Sequence, residues 1–272
     1  LYNSAFDELA HPYDAAFTNT AVGWALREIV WSRLDSIFHP PQHVLELGCG
    51  TGEDALHLAR AGIKVTATDA SAAMIQIAQE KMRRLTGAEP IEFHCLPMES
   101  IAGSLKARSF DGVFSNFGAI NCVSDLPSLV AGLAGMLTPG ATLIWVIMGR
   151  HVPWEWLWYL SRGKVRKALR RLQRKGVEWR GLTISYPTPA EVTAVLKPYF
   201  AVTRVSPLGC VLPPSYAAAW LNRSPRALSL LARLESLAQR STVLAGWSDH
   251  YIVEASRVAD STLLNRSDTL NR

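Results

Sequence analysis

Val44-Leu-Glu-Leu-Gly-Cys-Gly-Thr-Gly52 is the stretch that decides the fold of this 272-residue chain. An apolar run over 43–47 ends in three glycines at alternate positions and passes into a helical pattern over 53–61. This is how a strand of an open α/β sheet turns into its crossover helix. Gly48, Gly50 and Gly52 let the backbone turn tightly and let a ligand approach without meeting a Cβ. The dinucleotide pattern G-x-G-x-x-G would need its third glycine at 53, where this chain has Glu53. Glu46 precedes the first glycine, so two carboxylates flank the turn. Such a turn disfavours a pyrophosphate, and NAD with it, and suits a ligand that carries positive charge and no phosphate.

Short apolar runs alternate with helical patterns on the C-terminal side of the turn. Strands are expected at 43–47, 63–68, 91–95, 110–115 and 141–148, with a helix capped by Ser71 running to about 85 and another over 125–137. Strands at 200–206 and 250–255 complete the set. The fold class is therefore α/β, a doubly wound, mostly parallel seven-stranded sheet with right-handed crossovers and helical cap insertions after strand five and before the last strand. The organisation expected is an N-terminal helical segment (1–42), a ligand-binding core (43–149), a Trp-rich and basic cap insertion (150–187), the rest of the sheet (188–257) with a helical insertion (208–247), and a polar tail (258–272).

Asp69 ends the second strand, 23 residues after Glu46, where nucleoside-binding α/β folds place an acid against the ribose hydroxyls. A ribose diol, an ammonium and a sulfonium without phosphate describe S-adenosylmethionine. The chain here resembles the class I S-adenosylmethionine-dependent methyltransferases. Glu46–Gly52 matches their E/D-x-G-x-G-x-G signature, Thr68-Asp69-Ala70-Ser71 their second motif, Phe110-Asp111-Gly112-Val113 the fourth-strand motif, and Leu137-Thr-Pro-Gly140 the turn before strand five. The resemblance implies a Rossmann-like methyltransferase fold and S-adenosyl-L-homocysteine as product. It also implies a cofactor site made from Glu46, Gly48, Cys49, Gly50, Gly52, Asp69, Ala70, Met74, Met98, Ser115, Asn116 and Phe117. The family's acid after strand three falls at Pro97; Met98 takes its place beside the adenine, and Glu99 either joins it or is a solvated loop residue.

Methyl transfer from a sulfonium is an in-line displacement, so alignment and exclusion of water matter most, and a base is needed only where the acceptor must lose a proton. After strand four the chain reads Ser115-Asn-Phe-Gly-Ala-Ile-Asn-Cys122, not the Asn/Asp-Pro-Pro-Tyr/Phe of enzymes that methylate nucleic-acid bases. The resemblance also implies that Ala10-His-Pro-Tyr-Asp14 folds over the cofactor. His11, Tyr13 and His151 are the candidate catalytic groups, each with an ordinary packing or surface role as the alternative; His151 lies just past strand five, at the carboxyl edge of the sheet.

With 49% apolar and 19% charged residues the chain can bury a substantial core, which excludes wholesale disorder. Its formal charge of +5 is local: Arg162, Lys164, Arg166, Lys167, Arg170, Arg171, Arg174 and Lys175 include no acid among them, and without these eight, 20 basic residues face 23 acidic ones, a net of −3. Val165, Ala168, Leu169 and Leu172 share a stripe at helical spacing, which predicts an amphipathic basic helix next to Trp154, Trp156 and Trp158. Segment 154–175 is thus a solvated face, a dock for an anionic membrane, or a binder of nucleic acid or another anion; no RNA-binding module accompanies it. The four cysteines lack metal or disulfide spacing, so no metal is expected. With no apolar run of about 18–20 residues and no signal-peptide pattern, the expected location is cytoplasmic, peripheral to the membrane where the basic segment docks. The expected activity is methyl transfer to a small, hydrophobic or lipid-like acceptor. The rivals are an RNA or protein methyltransferase using the basic helix and a non-catalytic S-adenosylmethionine-binding regulator. The sequence gives no oligomeric state.

Overall fold

The computed structural model describes residues 4–106, 108–218 and 221–259. An N-terminal segment of α1 (Asp7–Tyr13), a π-helical turn and α2 (Ala21–Ile37) leads into β1 (His43–Leu47), α3 (Glu53–Arg60), β2 (Lys64–Asp69), α4 (Ala72–Arg83) and β3 (Ile91–Cys95). There follow α5 (Ile101–Ser104), β4 (Phe110–Ser115), α6 (Leu126–Ala134) and β5 (Leu137–Met148). The cap insertion holds α7 (Pro153–Leu160), α8 (Val165–Ala168) and a hairpin of β6 (Val177–Trp179) and β7 (Leu182–Ile184); α9 (Pro189–Leu196), β8 (Phe200–Leu208), α10 (Pro225–Ala238) and β9 (His250–Arg257) complete the chain. The polar tail expected beyond 258 lies outside the described residues from 260 onward.

Seven strands form one sheet in the order β3-β2-β1-β4-β5-β9-β8. The first five pair in parallel, whereas β9 runs antiparallel to both β5 and β8. Both faces are covered, as the near-continuous apolar strands require. Along β5, Leu143, Trp145 and Ile147 face the layer of α6 and α9, while Ile144 and Val146 face the layer of α2 and α3. Val22, Leu26, Val30 and Leu34 supply the buried stripe of α2, which Thr20 caps by accepting from the Gly23 amide at 3.0 Å. Strand order reverses between β1 and β4, and at such a switch point the carboxyl ends of the strands open a crevice. Leu47, Asp69, Ser115 and Met148 end on that edge, and antiparallel β9 starts there, His250 standing opposite Met148.

The basic segment is not the amphipathic helix its spacing predicts. Its helical parts are α8, four residues long, and a 3₁₀ turn over Arg170–Leu172. Long-range pairing overrides the local pattern. Arg171 is buried, its Nη2 2.8 Å from both Asp249 Oδ1 and Glu155 Oε2, while its Nη1 donates to the Gly149 and Asp249 carbonyls. Arg170 Nε lies 2.9 Å from Glu155 Oε1. These contacts turn the cap's two arginines inward and leave Val165, Leu169 and Leu172, three of the four stripe residues, exposed; Ala168 is the one buried. The hairpin, which the sequence reading leaves out, reverses through Arg180 and Gly181 at φ +50° and +81°, the left-handed pair that a two-residue turn demands.

Burial opposes ionisation of Asp249, but Arg171 and His250 outweigh it and hold its carboxyl well below the usual range. Stability from this pairing is fully present above the ordinary aspartate value, about pH 4, and is lost as pH falls toward the depressed folded value. Tryptophan fluorescence of the cap should therefore hold constant down to about pH 4 and drift progressively below it. Arg171→Met, which strands Asp249 and Glu155, should cost about 3–5 kcal/mol in chemical denaturation and loosen the cap near neutrality; a variant as stable as the wild type would show the latch to be incidental.

Candidate active site

At the carboxyl edge the glycine turn rises from β1. Gly48, at φ +68°, lies so close to Ala119 and Met98 that a Cβ built on it would sit 2.4 Å from the Ala119 Cβ and 3.0 Å from the Met98 Cε. Gly50, at φ +53°, faces open space, and its amide donates to Asp69 Oδ2 at 2.8 Å. Asp69 Oδ1 accepts from the Ser71 amide at 2.8 Å, so one carboxylate ties the ends of β1 and β2 together. Each oxygen keeps a second acceptor position. Burial raises the Asp69 pKa against these amide bonds.

Glu46 is buried and its Oε2 has no hydrogen-bond partner. Burial, reinforced by Asp54, drives its pKa well above the usual carboxylate value, with Arg27 opposing and Asp69 adding to the rise. Arg27, from α2, is buried 2.5 Å from Asp54 Oδ1, which also accepts from Trp31 Nε1 at 2.7 Å. Burial works against the Arg27 charge and Asp54 more than restores it, so the guanidinium stays protonated; its Nε has no partner. The first turn of α3, where a phosphate would bind, carries Glu53 and Asp54.

Asn116 is buried with both amide atoms unpartnered, and Phe117 follows at φ +46°, a conformation that bulky residues hold only when their surroundings impose it. The Phe117 ring is 4.8 Å from Phe17, 5.9 Å from His250 and 4.9 Å from the Arg27 guanidinium. A cavity of about 30 Å³ lies between Tyr13, Arg27, the turn from Gly48 to Thr51, Asn116 and Phe117. The N-terminal segment closes it from above. Asp7 accepts from the Ser71 hydroxyl, Asp14 from the Thr51 hydroxyl at 2.6 Å, and Lys81 bridges Asp14 and Glu53 at 2.6 and 2.5 Å. A nucleoside-sized ligand needs this segment to lift.

The sequence-derived residues divide on this geometry. Glu46, Gly48, Cys49, Gly50, Asp69, Met98, Asn116, Phe117 and Tyr13 meet around the turn. Ser115 donates its hydroxyl to the Leu47 carbonyl at 2.7 Å and is wholly buried, so it joins β4 to β1. Met74 is buried in the first turn of α4, and the Ala70 carbonyl lies 3.8 Å from the Cys95 sulfur. A Cβ on Gly52 would meet Ala78 at 2.7 Å, so this glycine serves the packing of the turn on α4. Glu99 is exposed, as is His11. Burial pushes the Tyr13 phenol up to about 12, against Arg27 and with the help of Asp54 and Asp69, which makes it a donor near neutrality. His151 packs with Trp156 and Trp247, its Nδ1 3.2 Å from the Gly246 carbonyl.

Three residues escaped the sequence reading. Arg27 is hidden in a helix with no motif around it. Asn121, fully buried, bonds Met148 and Ser185 and so holds the β4 loop to the end of β5. His250, with Nδ1 3.2 Å from Asp249 Oδ2, stands edge-on to Phe117. Its position at the start of the last strand, on the ligand edge, was the signal available.

A methyltransferase-domain family model matches residues 44–140, which takes in the glycine turn, Asp69 and the β4 loop. Residues 44–140 of this chain are thus similar to a methyltransferase domain. Among curated methyltransferases, an uncharacterized one of Mycobacterium tuberculosis is 33% identical over 120 residues, 44% of this chain and 57% of that protein. The chain thus spans somewhat over half the length of the first curated relatives it matches. The ubiquinone biosynthesis O-methyltransferase of Hahella chejuensis is 28% identical over 71% of this chain and 76% of its own length. In three dimensions, the complex between the Haloferax volcanii Trm112 methyltransferase activator and a methyltransferase contains a similar chain, with a TM-score of 0.61 at 14% identity over 95% of this chain and 98% of the other. A cyclopropane synthase of Mycobacterium tuberculosis gives 0.54 at 15% identity over 86% and 83%. At these identities the two structures speak for the methyltransferase fold alone.

Arg27→Met leaves Asp54 buried without its cation. The protein should lose about 3–5 kcal/mol in chemical denaturation, and Asp54→Asn added to it should restore part of that. Equal stability of wild type and the single variant would remove Arg27 from the account of the site.

Proposed function

We propose that this protein transfers a methyl group from S-adenosylmethionine to a small, apolar acceptor and releases S-adenosylhomocysteine. The observation that carries the reading is the buried Glu46 carboxylate, whose Oε2 has no partner, beneath a glycine turn whose following helix begins with two more acids. That donor set fits a cationic nucleoside and repels a phosphate. Bound there, S-adenosylmethionine supplies an electrophilic methyl on a sulfonium, open to in-line displacement.

The chain's own residues divide the work. Glu46 accepts from the ligand's ammonium, Arg27 offers its free Nε to the ligand's carboxylate, and Asp69 keeps lone pairs for the ribose hydroxyls. Gly48, Gly50 and Cys49 give the backbone floor, while Ala70, Met98 and Glu99 border the adenine. Asn116 offers an unpaired amide, and Tyr13 donates from the lid. His250 is the proton acceptor for an acceptor that must lose one, and Asp249 Oδ2, 3.2 Å from its Nδ1, favours the imidazolium so formed. The cap supplies an apolar wall at Trp156, His151 and Trp247, whose rings lie 5.1–6.3 Å apart. The relative named for ubiquinone biosynthesis supports an apolar acceptor. The β4 loop, which lacks the Pro-Pro of base-modifying enzymes, and the inward pairing of Arg170 and Arg171 weigh against a nucleic acid.

Calorimetry in buffers of different ionisation enthalpy tests the cofactor half. Glu46 has a raised pKa when free, and a cation beside it favours the ionised form, so S-adenosylmethionine binding should release protons and tighten with rising pH up to that pKa. Glu46→Gln should abolish the proton release, and Asp69→Ala should weaken binding about 10–100-fold; absence of binding to the wild type would sink the assignment. With an acceptor that loses a proton, His250→Gln should lower kcat about 10²–10⁴-fold, cofactor affinity unchanged.

A further inference from the structure

The cap insertion carries a surface that the site at the glycine turn does not use. The chain of α7 reverses at Gly163, φ +66°, and returns through α8 and the turn at Arg170, where Arg170 meets Glu155 near the start of α7. The two pieces therefore lie antiparallel, as a helical hairpin. Its inner side is fully committed: Glu155 is 1% exposed, and Ala168 and Arg171 are buried. The tryptophans are committed too. Trp154 donates from Nε1 to the Val211 carbonyl, Trp156 packs on Trp247, and Trp158 and Tyr159 pack on Tyr216. On the outer side Leu157 is 64% exposed, Val165 52%, Leu160 49%, Leu169 44% and Leu172 39%.

A collar of cations accompanies those five apolar side chains. Arg162, Lys164, Arg166, Lys167, Arg174 and Lys175 form no ion pair among the described residues. Arg162 lies over the Trp158 ring at 3.3 Å, and Lys167 stands 6.0 Å from the centre of the Tyr159 ring. The remainder of the chain is net acidic, so an anionic surface attracts this hairpin and repels the rest, which fixes one orientation. Nucleic acid would satisfy the cations and leave the leucines in water. A lipid bilayer satisfies both, the leucines entering the acyl boundary while the long basic side chains reach the headgroups.

We propose that the outer face of the 157–175 hairpin docks this protein on an anionic lipid bilayer. The proposal is independent of the chemistry at the glycine turn. Arg171, which anchors the hairpin, bonds the Asp249 carbonyl and carboxylate next to His250, so the docked face is tied to the edge of the sheet where Phe117 lies.

The test is co-sedimentation of the whole protein with phosphatidylcholine vesicles, alone or with about a third phosphatidylglycerol, at low and high salt. Binding should appear with the anionic vesicles, be at least ~10-fold weaker without phosphatidylglycerol, and fall with salt. The variant R166Q/K167Q/R174Q/K175Q should lose ~100-fold or more in partitioning, each surface cation contributing roughly fivefold. L157S/L169S, with every charge intact, should also lose ~10-fold or more, a loss that purely electrostatic adsorption would not show. Unchanged near-ultraviolet circular dichroism and melting would establish that both variants fold. Failure of the wild type to sediment with anionic vesicles, equal binding by wild type and the quadruple variant, or binding to double-stranded DNA with none to vesicles would each overturn the proposal.

Discussion

Two buried carboxylates, Glu46 and Asp54, repel each other beneath the glycine turn; Asp69 adds to the repulsion and Arg27 opposes it. Burying a charge in a protein costs several kcal/mol unless it is paired. Asp54 meets that cost through Arg27 and Trp31, while Glu46 has only part of its demand met. Much of the surrounding structure follows from this imbalance. Helix α2 passes under the turn and delivers Arg27, and Asp14 and Lys81 hold the lid by ionic contacts. A phosphate-bearing cofactor would add to the negative potential at a helix start that already holds Glu53 and Asp54.

A second ionic cluster sets the other end of the site. Glu155, Arg171 and Asp249 lock the cap insertion to the residue just before the last strand, and His250 Nδ1 lies 3.2 Å from Asp249 Oδ2. Phe117 stands between the two clusters, touching Arg27 on one side and His250 on the other. Its left-handed backbone, at φ +46°, is a strained point of the crevice. Phe17 of the lid, Arg27 of α2 and His250 of the last strand thus all meet on one aromatic ring.

The sheet was legible because strand and cap signals are local. The strands begin and end within a few residues of the apolar runs, and Ser71 accepts the amide bond that its position suggests. The glycine turn and Asp69 were legible because their geometry restricts residue type. The basic segment misled because a charge count records no partners: Arg171 is taken up by Asp249, 78 residues away, and no helical periodicity can register that. Arg27 and His250 were missed for the same reason, since each acquires its role only when distant segments meet at the edge of the sheet. Ser115 was read as facing the ligand, yet its hydroxyl closes the seam between two strands. Adjacency to a motif does not settle which way a side chain is spent.

The central claim is that this crevice is built for a positively charged nucleoside and against phosphates. It is tested most directly by the melting temperature of the wild-type protein with S-adenosylmethionine, ATP or NAD added at equal concentration. S-adenosylmethionine should raise the melting temperature, by about 2–4 °C per kcal/mol of ligand stabilisation for a chain of this size, while ATP and NAD leave it unchanged. Stabilisation by NAD or ATP with none by S-adenosylmethionine would contradict the account.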